Sequence, residues 1–372
     1  MLPSVPGLED GTDSCLRAIV ISHGHVDHWG LAPLANTNIP LAMGAATRRI
    51  LHAAAPFVPN PFAPAETIDL ADRKQITIGP FLITPYLVDH SAFDAYALLV
   101  EAGGRRLFYS GDIRAHGRKS ALFERLLRDP PKGVDAMLME GSSLGRLDEH
   151  AEFPTEEAIE NLLVERFKPD GFVAIMASAQ NIDRVVSIYR ACKRTGRTLL
   201  LDLYAMEILR ATDNSNLPAP GWPNLAVYVP EYQRRHIVKS QRFDLLEPYK
   251  AARIYREHIA DIGSRAVMLF RPAMMRDIDE AGLWDNARAI WSQWSGYLEH
   301  EPGARLKADL ATRNVEVENV HTSGHASIKD LKRLASAIKP KSLVPIHTFQ
   351  GDRFSEFFCN VTRRNDGQWW MV

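Results

Sequence analysis

Up to about residue 140, short apolar runs alternate with loops that open on residues able to bind a metal. The run "LRAIVI" is rich in β-branched side chains and reads as a buried strand. The loop "SHGHVDHWG" leaves its C-terminal end, and "GLAPLAN" then opens a short helix. "QITIGPFLITPYLVDH" reads as strand, turn and strand, ending on His90. "AYALLVEAGGRRLFYSGD" reads as a hairpin about a Gly-Gly turn, ending on Asp112, and "GVDAMLMEGSS" as a further buried strand ending on Glu140. In each case a polar, metal-capable residue stands just beyond an apolar strand.

From about residue 155 the pattern changes. "TEEAIENLLVERF" is helical, with Thr155 as a cap ahead of an acidic first turn. "GFVAIMAS" predicts a strand, and "IDRVVSIYRACKRTG" an amphipathic helix closed by Gly196. "RTLLLDL", "NLAVYV" and "RAVMLF" predict further strands. Strands alternating with helices imply a parallel, helix-covered sheet. After about 313 the first texture returns in "VEVENVHTSGHAS", the helix "IKDLKRLASAIK" and the strand "SLVPIHTF". The expected organisation is one domain over 1–152 and 313–372, interrupted by an α/β insertion over 153–312.

Length and composition sharpen this only a little. The 372 residues suit two cores rather than one. The net charge of −1 gives no global attraction to a polyanion, so a nucleic-acid binder of this composition must gather its cations on one face. Two stretches offer them: Arg184, Arg190, Lys193, Arg194 and Arg197 on one helix, and Arg234 to Arg242. Cys15, Cys192 and Cys359 show no CxxC spacing, so a disulfide framework is not expected and a reducing cytoplasm is. No apolar run reaches the ~18 residues a membrane span needs, and the N-terminus does not read as a signal peptide.

The chemistry concentrates in residues 23–28, where His23, His25, Asp27 and His28 crowd together. Imidazole nitrogen and carboxylate oxygen suit Zn²⁺, Mn²⁺ or Fe. His23 and His25, two apart in an extended segment, leave it on the same side, and Asp27 and His28 follow at the turn into a helix. One ion could take the first pair and a second ion the other. His90, Asp112 and His347, at strand ends, could complete both sets, a carboxylate such as Asp112 bridging them. Two ions about 3.5–4 Å apart hold an activated hydroxide and clamp a phosphoryl oxygen. His116, His52, His150, His236, His258 and His300 receive no such role.

HGHVDH resembles the HxHxDH signature of the metallo-β-lactamase superfamily, with His90 at its next metal histidine and "YSGD" similar to its bridging-aspartate motif. "AMLMEGSSLGR", the insertion, "HTSGHAS" and "LVPIHTF" together resemble the β-CASP branch, specifically ribonuclease J-like proteins, over about residues 15–352. The resemblance implies an αββα sandwich interrupted by an α/β β-CASP domain with a mainly parallel sheet. It implies two divalent ions, Zn²⁺ first and Mn²⁺ as the alternative. His23, His25 and His90 would hold one ion, and Asp27, His28 and His347 the other, with Asp112 between them. Asp27, Glu140 and His325 would be the catalytic residues. Glu140 matches the branch's first acidic motif, and His325 its phosphate-facing histidine, a proton donor to the leaving oxygen. "SAQNIDR", "FRP" and "WSQWSGYL" are also similar to branch segments. Asn181, Arg184, Arg271, Ser292 and Ser323 would then touch the nucleic-acid backbone. The implied partner is single-stranded RNA, in the cytoplasm, with no membrane.

Only 22 residues precede His23, and none reads as the strands with which that fold opens, so the first sheet is expected to lack strands. The C-terminal domain of ribonuclease J is likewise expected to be missing, and "IWSQWSGYL" or an exposed sheet edge could serve a homodimer. HxHxDH alone does not select a substrate. Three readings therefore stay open: an RNA phosphodiesterase; an ester, thioester or lactone hydrolase on the same centre; and a non-catalytic relative.

Overall fold

Strand by strand, the computed structural model, which describes residues 2–372, builds two compact units: Met1–Phe153 with Gly324–Val372, and Pro154–Ser323.

In the first unit, β1 (Ile19–Val20), β2 (Leu41–Gly44) and β3 (Ile68–Leu70) form a sheet in which every pairing is parallel. A second, mixed sheet contains β4 (Ile76–Ile78), β5 (Phe81–Leu87), β6 (Tyr96–Ala102), β7 (Arg105–Tyr109) and β8 (Ala136–Glu140), with the strand Ser342–Ile346 at its far edge beside β8. β6 buries both faces, as alternating side chains allow. Tyr96 and Leu98 meet Ala42 and Leu70 of the first sheet, while Ala97 and Leu99 face helices. The helix Ser120–Arg128 contributes Phe123 and Leu126 there, and the helix Ile328–Ile338 contributes Leu331, Leu334 and Ile338. On the outside of the first sheet, Leu51 of the helix Ala45–Ala54 packs on Ile21 and Met43. The layers are thus helix, sheet, sheet, helix.

Local chemistry fixes the helix starts. Apolar residues at 328, 331, 334 and 338 give Ile328–Ile338 one buried stripe, and the Ser327 hydroxyl accepts from Asp330 N at 3.1 Å to cap it. The helix Ala45–Ala54 has no cap of its own, so Asp94 supplies one from a distance, accepting from Ala46 N (2.9 Å) and Thr47 N (3.0 Å). Gly44 makes room for it, since a Cβ there would come 2.0 Å from Asp94 Oδ2. "GLAPLAN" forms a single 3₁₀ turn, Ala32–Leu34, rather than a longer helix.

The register sets the site. β7, β8 and Ser342–Ile346 run parallel, with Tyr109 opposite Leu138 and Ile346 opposite Glu140. Asp112, Glu140 and His347 therefore emerge at one edge of the sheet. Leu87 pairs with Tyr96 and Leu98 with Tyr109, so the loop carrying His90 leaves at the same edge.

The second unit holds a seven-stranded sheet, all parallel among the described residues, with Val173–Met176 near its middle. Thr155 caps the helix Glu156–Phe167, and Gly196, at φ +67°, ends the helix Ile182–Thr195. One boundary differs from the expectation. The strand Val317–Asn319 pairs with Arg288–Trp291, so its hydrogen bonds hold 313–323 to the insertion, and the chain returns to the first unit at Gly324 rather than 313. Among the described residues no helix is long and apolar enough to cross a membrane.

Candidate metal centre

The end of β1 delivers the first group. His23 is fully buried, and His25 immediately precedes the short helix Val26–Trp29, which carries Asp27 and His28. The loop after β5 brings His90, the loop after β7 brings Asp112, and the end of Ser342–Ile346 brings His347, whose φ of +49° turns the chain sharply.

Overlapping sets result, among them His23, His25, His90 and Asp112, and Asp27, His28, Asp112 and His347; in each set one ligand atom per residue lies within 4.8 Å of the others. Asp112 Oδ2 is 3.1 Å from His28 Nε2, 3.7 Å from His23 Nε2 and 4.0 Å from His90 Nε2, and its Oδ1 is 3.4 Å from His347 Nδ1. His25 Nδ1 and His90 Nε2 are 3.1 Å apart, and Asp27 Oδ2 and His347 Nε2 3.3 Å apart. Ligand atoms sharing one tetrahedral zinc, at the usual bond lengths, are about 3.3 Å apart. The buried His23 Nε2 also finds no hydrogen-bond partner among the described residues. A buried, unsatisfied nitrogen facing other donors at ligand spacing fits a cation there.

Titration agrees with that donor set. Burial, reinforced by neighbouring imidazoles, holds His23 and His90 well below the ordinary histidine value, and burial lowers His25 to about 4. A neutral imidazole is the form that ligates. Burial would raise Asp112, yet the His28 hydrogen bond and the surrounding imidazoles bring it well below the carboxylate range. The His347 hydrogen bond does the same for Asp27, and in return raises His347.

Outer contacts orient the rings, which is how ligating histidines are aimed. His90 Nδ1 donates to Gly324 O at 2.7 Å, leaving Nε2 for the centre. Ser22 Oγ lies 3.1 Å from His23 Nδ1 and 3.4 Å from His28 Nδ1, and Ser142 Oγ 2.9 Å from His347 Nδ1. Sequence reasoning passed over Ser22, Ser142 and the Gly324 carbonyl. The serines adjoin the motifs, but a hydroxyl among strand ends carries no periodic signal.

Beside the ligand sets stands a third arrangement. Glu140, fully buried, accepts from Ile113 N at 2.9 Å and lies 3.0 Å from His325 Nδ1. Burial opposes protonation of His325, but Glu140, by charge and hydrogen bond, and Asp112 outweigh it and bring its pKa up to about 9. His325 is thus an imidazole hydrogen-bonded to Glu140 and 3.9 Å from the carboxylate that the two sets share.

The expected backbone contacts divide. Arg184 and Ser292 are both buried and engaged internally. Arg184 pairs with Glu156 (Nη2 to Oε1, 3.0 Å) and donates from Nη1 to Ser292 O at 3.1 Å, while Ser292 Oγ donates to Val320 O. Asn181 caps the helix Ile182–Thr195, accepting from Arg184 N at 3.1 Å. Arg271 is partly exposed, pinned by Asp202 (2.6 Å) over the ring of Tyr204, and Ser323 stands partly exposed at the end of its unit. The basic stretches are largely offset. Arg190 and Arg194 pair with Glu160, Arg234 and Arg235 with Glu231, and Arg242 with Asp244, while Arg197 is buried on the carbonyls of Gly171 and Pro169.

Comparison with known proteins matches residues 3–170 to a beta-lactamase superfamily domain and residues 311–350 to a Zn-dependent metallo-hydrolase RNA specificity domain. A ribonuclease J of Sinorhizobium meliloti is 25% identical over 349 residues, covering 89% of this chain and 57% of its own length. A ribonuclease J of Mycobacterium tuberculosis is 24% identical over 382 residues, covering 93% of this chain and 61% of its own. The chain therefore spans about three fifths of these relatives. A solved structure from Enterococcus faecalis, of a protein of unknown function, superposes with a TM-score of 0.75 at 22% identity, covering 94% of this chain and 80% of that one.

Proposed function

Since the chain belongs to the metallo-β-lactamase superfamily, in its ribonuclease J-like branch, we propose that it is a metal-dependent hydrolase that cleaves phosphodiester bonds of single-stranded RNA. The observation that carries this is the convergence of two ligand sets on Asp112 with the Glu140–His325 pair beside them. RNA as substrate is supported by the RNA specificity match over 311–350 and by the ribonuclease J relatives.

His23, His25 and His90 would hold one divalent ion and Asp27, His28 and His347 a second, with Asp112 between them. Such ions, zinc first, would supply a nucleophilic hydroxide at neutral pH and positive charge for the phosphoryl oxygens. The chain's own residues do the rest. Ser22, Ser142 and the Gly324 carbonyl hold the imidazoles in place. Glu140 keeps His325 protonated and fixes its Nδ1, so the proton handed to the departing alkoxide is the one on Nε2.

The test is incubation of the zinc-loaded chain, and then the manganese-loaded chain, with 5′-labelled single-stranded RNA beside His325→Ala. Cleavage that falls about 100-fold or more in the variant is expected. Equal cleavage by both proteins would remove His325 from the mechanism, and no cleavage by either would remove the nuclease. One observation favours a second reading, a small-molecule ester, thioester or lactone hydrolase: the basic stretches are ion-paired within the chain. Turnover of a chromogenic ester without RNA cleavage would select it.

A further inference from the structure

We propose that Phe349 and Val26 form a nucleobase-binding rim flanking Asp27 and His347, so that the centre selects strands whose bases are unstacked; this rests on the ribonuclease reading above. Phe349 is 94% exposed and Val26 65%. Val26 lies between His25 and Asp27, and Phe349 two residues beyond His347, within about 7 Å of it along the backbone. Asp27 and His347 themselves touch at 3.3 Å. Each apolar group therefore stands one or two residues along the chain from a proposed ligand.

Phe349 is presented by a defined turn. His347 has φ +49°, Ser142 Oγ donates to His347 O at 3.1 Å, and Gln350 N donates to Thr348 Oγ1 at 3.0 Å before the 3₁₀ turn Gly351–Arg353. The turn leaves the phenyl ring exposed to water, two residues beyond the proposed ligand His347. The surface of the ligand loop is of the same kind, for Leu31 and Leu34 are also exposed, and no lysine or arginine occurs between Arg17 and Arg48. A rim of this composition offers flat or apolar faces rather than cations for phosphates. Unstacked bases present a π-face that an aromatic ring covers whatever the sequence, whereas a duplex keeps those faces stacked. Phe349 also lies inside the 311–350 segment matched to the RNA specificity domain.

The experiment compares binding of the zinc-loaded full chain to a phosphorothioate single-stranded oligonucleotide and to the matching abasic strand, with Phe349→Ala and Phe349→Trp beside the wild type. The wild type is expected to prefer the base-bearing strand by about tenfold. Phe349→Ala should lose that preference and Phe349→Trp keep it, at unchanged zinc content. Equal binding of both strands by a wild type that cleaves RNA overturns the rim and leaves the ribonuclease reading intact. A preference that survives in Phe349→Ala overturns it as well. Self-association lost in Phe349→Ala with strand preference unchanged assigns the rim to a second copy of the chain. Neither binding nor cleavage by the wild type overturns both readings.

Discussion

Five imidazoles, those of His23, His28, His90, His325 and His347, come within 4.0 Å of the Asp112 carboxylate. Burial depresses His23, His25 and His90, whereas carboxylates raise His325 and His347. The sign of the stability effect follows. For the depressed histidines the unfolded chain binds protons that the fold refuses, so their contribution is full above about pH 6.5 and is lost as pH falls below it, toward about 4 in the case of His25. For the raised pair it is full below 6.5 and lost as pH rises above it, toward about 9 in the case of His325. Chelated protein is thus predicted to be most stable near pH 6.5, as thermal melts in chelator across pH 4–9 would register; a melting temperature flat over that range contradicts the assignment. Arg184 makes a different residue-scale case. Its Arg-in-motif sequence signal is the same for a phosphate contact and for an internal pair, and only burial separates the two. Arg184→Met should remove the buried guanidinium that pairs with Glu156, costing about 3–5 kcal/mol in a denaturant titration while leaving KM for RNA unchanged in the folded fraction. A raised KM at unaltered stability would restore the substrate role.

At the scale of elements, the ligands are only as well placed as the loops that bear them. Asp89, next to His90, and Arg114, two beyond Asp112, form a fully buried pair (Nε to Oδ1, 3.4 Å), and Asp89 also accepts from Gly117 N at 2.7 Å. This pair ties two ligand loops together. Arg114→Met should cost about 3–5 kcal/mol and weaken zinc retention, read by denaturation and by metal content after dialysis; full zinc content at unchanged stability would mean the loops hold themselves. Most of these elements could be read from the sequence. β5, β6 and β7 are long enough for their alternation to register, and Thr155, Gly196 and Ser327 mark helix ends by their own chemistry. The three-stranded sheet is harder to read because its strands are two to four residues long, too short for a period. Asp94 capping a helix that begins at Ala45 is invisible for another reason: the partners are 48 residues apart. Val317–Asn319 joins the sheet of the second unit, which the sequence does not signal because a short strand carries no label for the sheet it joins.

In the whole molecule, all the proposed ligands belong to one unit, although they span residues 23 to 347. The motif could be read in the sequence because four donors stand within six positions; the grouping of His90, Asp112 and His347 with them was legible only through strand ends and family resemblance. Metal binding stabilises what it binds. Chelation should therefore lower amide-exchange protection in β1, β5 to β8 and Ser342–Ile346, and leave the parallel sheet of the second unit as it was. Loss spread evenly over both sheets would contradict a site confined to the first. The dinuclear centre itself is tested most directly by counting zinc bound at equilibrium to wild type and to Asp112→Ala. Two ions per wild-type chain, with both weakened in the variant, is the predicted result. One ion or none in the wild type, or two retained without the Asp112 carboxylate, would contradict it.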